Sequence, residues 1–124
     1  EHGMSAHHHD LPHGAGLIMI ACAYHQHMID VHACDDRYVE MARLMGAGEV
    51  ELAEQGPSAF VTELSRLKRE CGMDGLKMSD WGITEDELSA IAENAITTND
   101  ALFGHDPSPL TVDDVTAILK ASYK

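Results

Sequence analysis

Five histidines fall within the first thirteen residues of the chain, in the stretch EHGMSAHHHDLPHGAG: His2, His7, His8, His9 and His13. A neutral imidazole ligates divalent transition metals, and histidine is the side-chain type whose charge changes near neutral pH. Metal binding and proton transfer are therefore the two chemistries such a cluster offers. The run His7 to His9 passes without a linker into DLPHGAGLIMI, which reads as natural sequence and not as an appended tag. Imidazoles on a connecting loop need no function, and His7 and His9 read as surface residues. His25, His27, His32 and His105 read as ordinary residues of helical faces or a turn. Ser5 beside His2 and Cys34 beside His32 each pair a nucleophile with a base, yet neither a G-x-S-x-G elbow nor a cysteine-protease context accompanies them. Both pairs read as chance adjacency.

The elements that position these residues are helical. From Pro12, a good helix-start residue, Leu17, Ile20, Ala21, Tyr24 and Met28 follow at helical spacing, and Ile18, Met19 and Cys22 add apolar character on other faces. The spacing predicts a largely buried helix at the centre of the fold. DDRYVEMARLMG places Tyr38, Met41, Ala42 and Met45 on one stripe and stops at Gly46, and an acidic connector follows. PSAFVTELSRLKREC sets Phe60, Val61, Leu64, Leu67 and Cys71 on a stripe closed by Gly72, and GMDGLKMSDWGI reads as a compact loop. Two further helices begin with capping boxes, Thr84 with Glu87 and Thr111 with Asp114, separated by the turn FGHDPSP. No segment alternates like a strand. The expected architecture is a single all-α domain over residues 1–124, a helical bundle of five or six helices.

Charge and cysteines narrow the partners. Eight Lys and Arg against 21 Asp and Glu give a net charge of −13, which repels phosphate backbones and anionic lipid, so neither nucleic acid nor membrane is an expected partner. The longest apolar run, GAGLIMIACAY, is too short to span a bilayer. Cys22, Cys34 and Cys71 are odd in number and unpaired in pattern, which suits free thiols in the cytoplasm.

The string EHGMSAHHHDLPHGAGLIMI resembles the C-terminal histidine motif of the iron-containing alcohol dehydrogenases, where His-x-x-x-His is followed by a further His in Pro-His-Gly. CGMDGLKMSDWGITEDELSAIAENA and FGHDPSPLTVDDVTAILKASY are similar to the final helical regions of one branch of that family, so the resemblance covers nearly the whole chain. It implies the C-terminal helical domain of the dehydroquinate synthase-like fold. It also implies that His2 takes the place of the histidine assigned to proton transfer and His13 that of the last metal ligand. The first histidine of the motif would precede Glu1. His2 and His13 stand eleven residues apart, one more than in the usual motif. His8 occupies a position where relatives also carry histidine and is a weaker candidate for lining the cleft.

The implied cofactors are Fe(II), or another divalent metal such as Zn(II), and NAD(P). In the family an Asp and a His from an earlier helix complete the metal site, and a separate N-terminal nucleotide-binding domain carries the nicotinamide. No G-x-G-x-x-G loop occurs in this chain. The resemblance therefore implies a C-terminal fragment of a longer two-domain enzyme acting on a small alcohol or aldehyde, inactive when isolated, with homo-oligomers left open. The alternative is a small stand-alone helical module that binds metal through His2, His8, His13 and Asp10, or one that pairs its apolar stripes with a partner's helices.

Overall fold

The computed structural model describes residues 1–98 and 100–124, with Asp100 described by its backbone alone. Among the described residues all regular structure is helical: α1 (His2–His7), α2 (His13–Asp30), α3 (Asp35–Met45), α4 (Glu49–Gln55), α5 (Ala59–Glu70), α6 (Leu88–Thr98), α7 (Asp100–Phe103) and α8 (Val112–Ser122). Of these, α2, α3, α5, α6 and α8 have eleven residues or more. The all-α class agrees with the expectation from the sequence. The chain divides into two compact units, Glu1–Ala23 with Leu76–Lys124, and Tyr24–Gly75.

The first unit is built on methionine and branched aliphatic side chains: Met4, Leu11, Met19, Met78, Ile83, Leu88, Ile91, Ala92 and Leu119 form its buried core. Pro12 opens α2 as expected, its carbonyl accepting from the Ala15 and Gly16 amides. Both capping boxes are formed. Glu87 accepts from the Thr84 amide and hydroxyl at 2.8 and 2.9 Å. Asp114 accepts from the Thr111 amide at 2.9 Å and donates its own amide to the Thr111 hydroxyl at 3.2 Å. They start the two helices that pack on each other, α6 and α8. The segment read as a loop instead carries a 3-10 turn, Met78–Trp81, that seats Met78 and Ile83 fully in the core.

Helix α1 lies where the sequence suggested a loop. Six residues with no side-chain cap do not hold a helix alone. Tertiary packing supplies the stability. Met4 is entirely buried, and Gly3 brings the α1 backbone against α6 so closely that a Cβ there would sit 2.7 Å from the Ile91 carbonyl oxygen and 3.2 Å from the Ala95 Cβ.

The second unit contains the end of α2 with α3, α4 and α5. Gly46 closes α3 at a φ of +113°, a conformation that glycine adopts without a Cβ clash. The acidic connector proves to be α4, composed of good helix formers with Glu49 and Glu51 at the positive end of the helix dipole and Leu52 buried. Leu67 in α5 and Cys71 just after it are exposed, although the expected stripe included them. Glu63 occupies the buried face instead. Its carboxylate receives Nε of Arg66 at 3.0 Å, and the same guanidinium donates to the Met45 carbonyl at 2.9 Å, tying the end of α3 to α5. Charge-assisted bonds of this kind make a buried carboxylate tolerable.

Candidate metal centre

His2 begins α1 and His13 begins α2. The two helix starts bring the imidazoles into a stack, with ring centroids 5.1 Å apart and an interplanar angle of 12°. Glu1, at the N-cap of α1, reaches between them and Ser5. One carboxylate oxygen pairs with Nδ1 of His13, and the other accepts the Ser5 hydroxyl hydrogen. The Glu1 side chain is 3 % exposed while that of His13 is 57 % exposed, so a buried anchor holds an accessible ring. Among the described residues, Glu1, His2 and His13 are the group of metal-ligating types whose ligand atoms converge, one from each within 4.8 Å of the others.

A neutral imidazole nitrogen suits Fe(II) and Zn(II), and the His13 ring is accessible and backed at Nδ1 by the Glu1 carboxylate. The residues present thus fit a divalent transition metal. The other sequence candidates lie elsewhere. His8 faces Glu87, with Nε2 3.4 Å from a carboxylate oxygen, and that nitrogen has no hydrogen-bond partner among the described residues. His8 and Asp10 do not join the converging group. His7 pairs with the Gly3 carbonyl at 2.9 Å. The Ser5 hydroxyl donates to Glu1, and His32 pairs with Asp35 at 2.7 Å.

Glu1 and Gly16 escaped the sequence reading, and Ser5 was weighed there only as a neighbour of His2 and not as a partner of Glu1. The available signal was local: an acid immediately before His2, a serine one helical turn later, and a glycine one turn beyond His13.

The family model described as Fe-containing alcohol dehydrogenase family, C-terminal, matches residues 1–123. The chain belongs to that family. As an iron-containing alcohol dehydrogenase C-terminal domain it has the all-helical architecture that the resemblance implied. No curated protein and no solved structure gives a significant match to this member of the family. None of its described helices is long and apolar enough to cross a membrane.

Proposed function

We propose that residues 1–124 are the metal-binding and proton-transferring helical part of a longer two-domain, NAD(P)-dependent alcohol dehydrogenase that interconverts a small alcohol with its aldehyde or ketone. The observation that carries this reading is the convergence of Glu1, His2 and His13 in a chain of this family. His13 serves as a metal ligand. Held by His13, a divalent ion such as Fe(II) or Zn(II) would supply Lewis acidity to the substrate oxygen, and a nicotinamide would supply the hydride chemistry. His2 accepts the hydroxyl proton during oxidation and returns it during reduction. Its ring is exposed, which lets that proton pass on to water.

The exposure of both imidazoles suits a cleft completed by another part of the enzyme. An N-terminal nucleotide-binding domain supplies the phosphate-cradling loop and the remaining ligands in this reading. Among the described residues Cys22, Cys34 and Cys71 form no disulfide, which suits a cytoplasmic enzyme.

The test combines metal analysis with NAD(P)H-linked reduction of small aldehydes. In the full-length protein His13→Ala loses both bound metal and turnover. His2→Ala keeps its metal and loses about 10²- to 10⁴-fold in kcat, the range for a general acid–base group. Residues 1–124 alone give no turnover above a His13→Ala control. Full metal content in His13→Ala, or turnover by the isolated chain, defeats the reading.

A further inference from the structure

We infer that Glu1 is a positioning residue that fixes His13 in its Nδ1–H tautomer and so turns Nε2 toward the metal, with Ser5 and Gly16 holding Glu1 in place. The inference rests on the ligand role proposed for His13 and adds residues that role does not require. A carboxylate only accepts hydrogen bonds, so the contact between Glu1 and His13 puts the proton on Nδ1. The lone pair of the neutral ring then lies on Nε2. Histidine ligands commonly donate their second ring N–H to a carboxylate in this way, which fixes ring orientation and raises ligand basicity.

Three features hold the carboxylate. Its side chain is 3 % exposed, its second oxygen takes the Ser5 hydroxyl, and its stem fills the space over Gly16. A Cβ on residue 16 would lie 2.6 Å from Glu1 Cγ and 3.2 Å from Cδ, atoms that cannot yield without moving the carboxylate. Gly14, in the same turn of α2, has nothing within 4 Å of the equivalent position and provides a matched control.

The experiment uses the full-length protein and its Glu1→Gln, Gly16→Ala, Gly14→Ala and His13→Ala variants. Zn(II) affinity is measured by competition with a chromophoric chelator, and the His13 tautomer by ¹⁵N NMR of the metal-free protein. The expected result is a predominantly Nδ1–H ring in the wild type and Gly14→Ala. Glu1→Gln and Gly16→Ala should lose that preference and bind Zn(II) about 10- to 100-fold more weakly. An Nε2–H ring in the wild type overturns the inference, as does a tautomer and affinity unchanged in Glu1→Gln. Wild-type affinity in His13→Ala overturns the ligand role itself, and the metal-free spectra still decide whether Glu1 orients the ring.

Discussion

His25 shows how packing remakes a residue that the sequence presents as ordinary. Its ring meets Phe60 edge-on at 5.0 Å and lies 5.8 Å from Tyr38, whose hydroxyl is 3.1 Å from Nδ1. Burial holds the imidazole below the usual histidine value, because the charged form loses hydration there. Burial first, and then the nearby Cys34, push the Tyr38 phenol up to about 12, so it remains a neutral hydrogen-bonding group. Since the folded His25 binds its proton less readily than the unfolded one, its contribution is intact above the ordinary value of about 6.5. It is lost as pH falls through the lowered folded value. Urea unfolding of wild type and His25→Leu between pH 7.5 and 5 should show the gap between them narrowing on the acid side, and a gap independent of pH would refute this. Apart from the adjacent Tyr24, the partners of His25 come from α3 and α5, so no spacing within α2 announces them.

At the scale of elements, legibility follows locality. The capping boxes at Thr84 and Thr111, the proline before α2 and the glycine closing α3 were readable because each depends on residues within one turn. Helix α1 was not, because Gly3 and Met4 gain their meaning only from α6. Gly3→Ala tests that dependence. The added methyl meets the backbone of α6 and not a side chain that can swing away, so destabilisation of about 1–3 kcal/mol is expected, as for other overpacked sites. Thermal unfolding alongside Gly14→Ala checks it, since the control shares the same gain in helix propensity. Equal midpoints for the two variants would mean that α1 is not seated by that contact. Leu67, Cys71 and Glu63 teach the complementary lesson: apolar spacing alone assigned two exposed residues to the buried face of α5 and passed over the carboxylate that sits there.

For the molecule as a whole, helical class was legible because apolar residues recur at helical spacing along most of the chain and no stretch alternates. The candidate site was legible in part. His2 and His13 were found through their family-like context, and Glu1 was hidden because nothing in an isolated glutamate signals burial. All the residues that converge at the site lie within the first sixteen positions of the chain. Closing so short a segment costs little chain entropy and takes about 10–100 ns, so this cluster belongs to the fastest events available to the folding polypeptide. Its platform belongs to the slowest, because α1 is steadied by Ile91 and Ala95 from far along the chain. A ligand that binds only the assembled cluster must therefore favour the distant docking as well. Zn(II) added to the metal-free protein should slow amide hydrogen exchange around Ile91 in α6, a helix contributing no ligand atom to the converging group. Unaltered exchange there would show that the cluster assembles without its platform.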